Sequence, residues 1–312
     1  MNKLLKNSNI SRKFGIIASL LALMIVFTTL TNKFLSVSNF LNILQQAAIN
    51  LCVAVGMTFV IITGGIDLSV GSVMALSGMI IAKLMDGGMP PVLVVLIGVA
   101  AGALLGALNG LMIAKMKLQP FLVTLGTMSA YRGITLIISD GLPVRGFSSA
   151  YVNFMNSLNG LIPLPIIISL ILAFIALIVL RYFKFGQYLF ALGGNEEATR
   201  LSGINTVKMK IMTYAFSGFC SALAAVIFLG RLGAADPQAG DGYEMNAIAA
   251  AAIGGASLAG GKGSIVGTII GCLILQTLNN GLTLLNVQSF YQTFAVGVIV
   301  LIATMIDRYS SK

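Results

Sequence analysis

The hydrophobic positions in this chain do not alternate with polar ones over short distances. They run on. Ten apolar runs lie at about 14–31, 40–63, 70–85, 91–114, 120–138, 162–181, 211–230, 246–259, 264–285 and 290–306, separated by short stretches of polar, charged, Gly and Pro residues. A bilayer core of about 30 Å is crossed by about 20 helical residues, so most of these runs have the length of a crossing. From Gly263 to Ile306 there are 44 positions without a charge. As one helix this tract would extend about 66 Å, twice the core thickness. It has to fold back, and the polar stretch Asn286–Ser289 is the predicted place. The run 246–259 is short for a full crossing and is expected as a half-span or re-entrant helix. The pattern predicts an all-α, polytopic membrane fold of about ten helices, some of them short or broken.

Composition points the same way. Charged residues make up 9% of the chain and hydrophobic ones 57%, whereas a soluble domain carries roughly 25% charged residues. There is no histidine, which excludes histidine relays and histidine metal sites. Cys52, Cys220 and Cys272 sit singly inside apolar runs without metal-ligand spacing, and read as small buried residues rather than as a disulfide framework or a zinc site.

The net charge of +10 would suggest nucleic acid for a soluble chain. In a membrane protein the positive-inside rule accounts for it. With the N-terminus inside and ten crossings, Lys33, Lys83, Arg145 and Arg231 fall outside, Arg132 falls within a span, and the other fourteen basic residues fall inside. That bias predicts an N-in, C-in topology. Residues 1–13 then form a cytoplasmic tail, 14–306 the transmembrane domain and 307–312 a second cytoplasmic tail. The run Phe14–Leu30 reads as a retained first span, because it is longer than a signal-peptide core and Thr31–Phe34 offers no small-residue cleavage site.

A weak internal echo is present. Gly64–Ser69 (GGIDLS) resembles Gly254–Ala259 (GGASLA), and Leu108–Leu111 (LNGL) resembles Leu278–Leu282 (LNNGL). A duplication with broken helices at matching positions would produce this. So would the chance recurrence of small residues that let membrane helices pack closely.

The most charged short stretch, Gly193–Asn205 (GGNEEATRLSGIN), falls in the longest predicted cytoplasmic loop. Gly193 and Gly194 are expected to break the preceding structure and Asn195 to cap a helix. Glu196 and Glu197 then lie in its first turn, where the dipole favours negative charge. Glu196 and Arg200 are spaced to pair, Ala198 and Leu201 give a less polar face, and Gly203 is a C-terminal stop. A helix of about seven residues is below the roughly 12–15 at which an isolated helix becomes marginal. It therefore needs something to dock against, either its own membrane domain or a cytoplasmic partner.

The segment EEATRLSGIN (Glu196–Asn205) resembles the coupling segment of permease subunits from ATP-binding-cassette importers, in particular the ribose-type branch that carries simple sugars. NILQQAAINLCVAVGMTFVIITGGIDLSVGSVMALSG (Asn42–Gly78), RLGAADPQAG (Arg231–Gly240) and GYEMNAIAAAAIGGASLAGGKGSIVGT (Gly242–Thr268) are similar to that family as well, so the resemblance covers most of residues 35–305. It implies a dimer of permeases, either homodimer or heterodimer, a cytoplasmic ATPase that holds the ATP and Mg, and an extracytoplasmic sugar-binding protein. It implies membrane lipid around the chain and no nucleic-acid partner. It places the ATPase contact on Glu196, Glu197, Ala198, Arg200, Leu201 and Gly203. No cofactor is expected on this chain. It lacks a GxxxxGK[ST] phosphate loop, and the nearest string, Gly260–Ser264, is too short and lies between spans.

Other polar residues have two readings each. Asp67, the lone acid between Phe34 and Ala82, either caps the next helix with Ser69 as helper or serves a pathway at a helix break. Arg132 faces a wet cavity, snorkels, or pairs with Asp140. Gln45, Gln46, Asn50, Asn109, Asn279 and Asn280 are each suited to interhelical hydrogen bonding, worth roughly 0.6–2 kcal/mol. As a set they are the candidate lining of a sugar pathway, because amides both donate and accept. Arg145 and Arg231 are candidates for pairing with acids of the binding protein, or belong to solvated loops. The competing classes are a permease for another neutral solute or a branched-chain amino acid, and a secondary transporter working alone. The last would be expected to carry more ionisable groups mid-membrane than this chain has.

Overall fold

The computed structural model describes residues 2–156 and 163–310. The first position of the predicted 162–181 run, Met1 and the last two residues of the predicted tail lie outside the described residues. The chain is helical almost throughout. In order come α1 (Asn2–Leu30), α2 (Val37–Ile62), α3 (Val70–Asp86), α4 (Pro91–Lys115), α5 (Pro120–Ser139), β1 (Val144–Arg145), α6 (Ser149–Asn156) and α7 (Leu164–Tyr182). They are followed by α8 (Lys184–Gly194), α9 (Glu196–Leu201), α10 (Thr206–Leu232), β2 (Ala234–Ala235), α11 (Tyr243–Ile253), α12 (Ile265–Leu284) and α13 (Ser289–Ser310).

A helix lies on each of the ten predicted apolar runs, and among the described residues six of them, α2, α4, α5, α7, α10 and α12, are long and apolar enough to cross a membrane. Pro at the first or second position starts α4, α5 and α7, where its missing N–H costs nothing. The uncharged tract folds back where expected: α12 ends at Leu284, Asn286 takes a left-handed φ of 58°, and α13 starts at Ser289. The short run is a helix of 11 residues, α11, which stops at Ile253 rather than at 259.

Two ends of the bundle can be told apart. One carries α9. The other carries β1 and β2, which pair antiparallel with Val144 opposite Ala235 and Arg145 opposite Ala234. Helix α10 runs from the first end to the second. Helices α2 and α12 are antiparallel. Asn39 and Asn280 exchange hydrogen bonds of 3.0 and 2.8 Å near one end of the pair, and the hydroxyls of Thr58 and Thr268 meet at 2.8 Å further along.

An extended close seam joins α4 to α10. Gly98, Gly102, Gly106 and Gly110 recur every fourth residue of α4 and form a stripe on one face. A Cβ on Gly106 would stand 2.1 Å from the carbonyl oxygen of Tyr214, and one on Gly218 of α10 would stand 2.1 Å from that of Gly102. The two helices therefore meet backbone to backbone, the arrangement small residues permit in lipid, where apolar burial does not drive helices together.

Helices α3 and α11 both begin inside the bundle. The start of α3 lies level with Ser217, about 16 Å along α10 from Thr206. The loop after β2 reaches down to it, since a Cβ on Gly71 would stand 2.1 Å from the carbonyl oxygen of Gly240. From this junction α3 runs alongside α10 toward the β1–β2 end, and α11 returns toward the α9 end.

The echoed segments Gly64–Ser69 and Gly254–Ala259 both follow a helix end, and the turns they form touch: the amide of Gly261 donates to the carbonyl of Ile62 at 2.9 Å. The second echo is out of step. Asn109 lies on α4, two helices after its break, whereas Asn279 and Asn280 lie on α12, the first helix after theirs.

Candidate functional site

Helix α9 forms as its sequence dictates. The Asn195 side chain accepts from the Ala198 amide at 2.9 Å, capping the helix, and Glu196 and Glu197 occupy the first turn. Gly203 has a φ of +82° with open space around it, so the left-handed backbone and not crowding calls for glycine there. Gly193 and Gly194 do not break the preceding helix, because α8 continues through Gly194. Gly193 serves close approach, whereas a Cβ on Gly194 would meet nothing within 4 Å. A Cβ on Gly193 would stand 1.8 Å from the carbonyl oxygen of Ile62 and 2.5 Å from the Gly261 nitrogen. The ends of α8 and α2 and the turn after α11 thus converge backbone on backbone, and α9 projects from this junction. Thr199 is its one buried residue and donates to the Asn195 carbonyl at 2.8 Å.

The pairing of charges differs from the expected Glu196–Arg200. Arg200 instead makes a two-pronged contact with Glu197, at 3.2 and 2.6 Å. Glu196 turns toward α10 and meets Lys210 at 2.7 Å. The hydrogen bond from Arg200, and then its charge, hold the Glu197 carboxyl below the usual carboxylate range. Ala198 and Leu201 are exposed, Leu201 by 75%. Between α9, the end of α4 and the start of α10 lies an open cleft of about 630 Å³, lined by Ile113, Ala114, Lys117, Glu196, Glu197, Arg200, Thr206, Val207 and Lys210. A short, firmly seated helix with an exposed leucine beside a charged cleft is suited to docking a protein.

The amide residues are spread through the bundle. Gln45, Gln46 and Asn279 are half-buried, and Asn50, Asn109 and Asn280 are buried. Asn280 is taken up by Asn39. Asn109 donates to Ser69 at 2.8 Å and accepts from Tyr131 at 3.2 Å. The Oδ1 atoms of Asn50 and Asn279 are buried without a hydrogen-bond partner among the described residues. Arg145, exposed on β1, and Arg231, half-buried just before β2, are brought to the same end by the β1–β2 pairing.

Arg132 does not use Asp140. It donates through Nη1 to the carbonyls of Pro237 and Ala239, the latter at 2.8 Å, and so fastens the loop after β2 onto α5. The glycine stripe of α4 and Thr199 carry packing that neither charge nor amide chemistry marks in the sequence. The stripe is legible as GVAAGALLGALNG, with glycine at every fourth position. The three cysteines are buried and free.

This polytopic helical bundle, with its half-helices and projecting α9, has the build of a transport component. The chain belongs to the family described as branched-chain amino acid transport system / permease component, whose profile matches residues 39–304. It is similar to the ribose import permease protein RbsC of Bacillus subtilis (strain 168), with 46% identity covering 97% of this chain and 94% of that one. It is similar also to RbsC of Escherichia coli (strain K12), at 45% over 93% and 92%, and to the D-allose transport system permease protein AlsC of the same strain, at 43% over 96% and 93%. No solved structure matches the chain.

Proposed function

We propose that the chain is the membrane-spanning permease subunit of an ATP-binding-cassette importer and translocates a simple sugar such as ribose across the inner membrane. The observation that carries this reading is the likeness, over nearly the whole chain, to permeases named for ribose and allose. A partner ATPase supplies the hydrolysis and holds ATP and Mg, and an extracytoplasmic binding protein delivers the sugar. The chain works as a dimer of permeases surrounded by lipid. It has no ATP site of its own. The Gly260–Ser264 string is a turn entered from α11 rather than from a strand, with Gly260 and Gly261 at φ of 90° and 71°.

In this reading residues 193–205 form the coupling segment of a transmembrane domain spanning 14–306. Glu197, Ala198, Arg200 and Leu201 face the ATPase, Gly203 ends the helix, and Glu196 holds it to α10. The ten segments cross with both termini in the cytoplasm. The gathering of Lys117, Arg200 and Lys210 around one cleft supports the α9 end as the cytoplasmic one. Arg145 and Arg231, at the opposite end, meet the binding protein. Asn50 and Asn279, whose carbonyl oxygens lack partners among the described residues, together with Gln45 and Gln46, supply the amides of the sugar pathway, whereas Asn109 and Asn280 are engaged by Ser69, Tyr131 and Asn39. Uncharged amides suit a polyol better than an amino acid, which needs countercharges.

The test is reconstitution. Proteoliposomes with the ATPase, the binding protein and ATP should accumulate ribose, and the chain alone should not. Concentrative uptake by the chain alone under a proton or sodium gradient would overturn the reading.

A further inference from the structure

The break between α2 and α3 buries a carboxylate with no cation beside it. Asp67 is 1% exposed, and among the described residues neither ion pair involves it. Such a group is tolerated inside a membrane protein when donors converge on it. Its Oδ1 accepts from the Ser69 amide at 3.0 Å and from the Ser69 hydroxyl at 2.6 Å. Its Oδ2 accepts from the Ser217 hydroxyl of α10 at 2.8 Å. The Ser69 hydroxyl also accepts from Asn109 of α4, which in turn accepts from the phenol of Tyr131 on α5. One buried chain of hydrogen bonds thus joins α5, α4, the start of α3 and α10. Beside it the phenol of Tyr214 and the hydroxyl of Thr124 both donate to the Ile66 carbonyl at 3.3 Å.

Ser69 is the N-cap position of α3 and no side chain caps its first turn, so Asp67 shapes the turn into α3 rather than capping it, and that accounts for Oδ1 alone. Oδ2 holds a second helix. Ser217 also departs from the habit of its neighbours, since Thr213 and Ser221 on the same helix return their hydroxyls to carbonyls one turn back, whereas Ser217 reaches across to Asp67. The position matters too. From Thr206, just after α9, α10 continues unbroken to Ser217, and the first turn of α3 at Gly71 abuts Gly240 just before α11.

We propose that Asp67 is a positioning residue that transmits displacement of α9 and α10 to the junction of the half-helices α3 and α11, and so links ATP hydrolysis to opening of the pathway. This rests on the reading of α9 as the coupling segment.

The test compares sugar transported per ATP hydrolysed in the reconstituted complex of permease, ATPase and binding protein. With Ser217→Ala this ratio should fall at least about tenfold while ATPase copurification and hydrolysis stay within about twofold. Asp67→Asn should keep the ratio within about twofold, because its oxygen still accepts from Ser69 and its NH₂ can donate to the Ser217 oxygen. An unchanged ratio with Ser217→Ala overturns the proposal. So does a parallel fall of transport and hydrolysis, a complex that fails to assemble, or an Asp67→Asn ratio as low as that of Ser217→Ala, all of which mark a role in holding the fold. Failure of the unsubstituted chain to copurify the ATPase would instead strike the coupling reading itself.

Discussion

Glu196 and Lys210 sit on different helices and close on each other at 2.7 Å, so α9 is held to α10 by a charged pair as well as by the chain between them. The Lys210 side chain is 21% exposed and that of Glu196 51%. Such a pair is worth about 0.2–1 kcal/mol to stability, yet it fixes the direction in which the short helix points. Lys210→Ala should leave the melting temperature nearly unchanged and lower ATP-driven uptake. The swapped pair Glu196→Lys with Lys210→Glu should recover uptake beyond either single change.

Ala198→Asp and Gly203→Val test the contact face and the stop of α9. The first places a carboxylate on the face read as entering the ATPase, at a cost of several kcal/mol if it is left unpaired there. The second opposes a φ of +82°, costing about 1–2 kcal/mol. Both should reduce ATPase copurification and sugar uptake while membrane insertion stays normal, and Gly203→Asn should be milder than Gly203→Val. Full binding and uptake with both would make the segment a capped loop.

Arg132→Ala removes two charge-assisted hydrogen bonds to the loop after β2, each worth about 1.5–3 kcal/mol. That loop should become accessible to protease between Asp236 and Gly242, and the thermal transition should fall by several degrees. Unchanged cleavage would show that the loop is held by Gly240 against Gly71 without help.

Gly106→Ala places a methyl group where 2.1 Å separates it from the Tyr214 carbonyl oxygen, forcing α4 and α10 apart. Overpacking of this kind costs about 1–3 kcal/mol or more, and detergent-extracted protein should unfold earlier on heating. Gly126→Ala on α5 meets nothing within 4 Å and should be neutral or slightly stabilising.

A reporter fused after the last residue should give a cytoplasmic signal, because fourteen of the nineteen basic residues fall on that side in the N-in, C-in arrangement. An extracytoplasmic signal would mean either an odd number of crossings or an inverted bundle, and would undo the assignment of sides.

Run length and local capping were legible in the sequence. The fold-back at Asn286, the short α11 and the Asn195 cap follow from residues close together in the chain. Partner choice was not. Glu197 rather than Glu196 takes Arg200 because Lys210, on the next helix, is there to meet Glu196. Gly193 reads as a breaker by local propensity, and only the approach of Ile62 and Gly261 gives it a different role. Arg132 looks toward Asp140 in sequence, whereas loop carbonyls from beyond β2 take up its charge. The second half of the internal echo showed likeness of letters and not of place, since periodic small residues serve many helix contacts in a membrane.

The seam between Gly106 and Tyr214 also sets a timetable for biosynthesis. Everything from α5 to α9 separates the two strips in the chain, so a ribosome adding about 5–20 residues per second delivers α10 on the order of ten seconds after α4. During that interval Gly98 of α4 already lies against Ile81 of α3, while Gly106 and Gly110 still lack the helix they pack on. Final closure of the bundle therefore waits for a late helix, and the order of synthesis, not the strength of the contact, decides when α4 is completed.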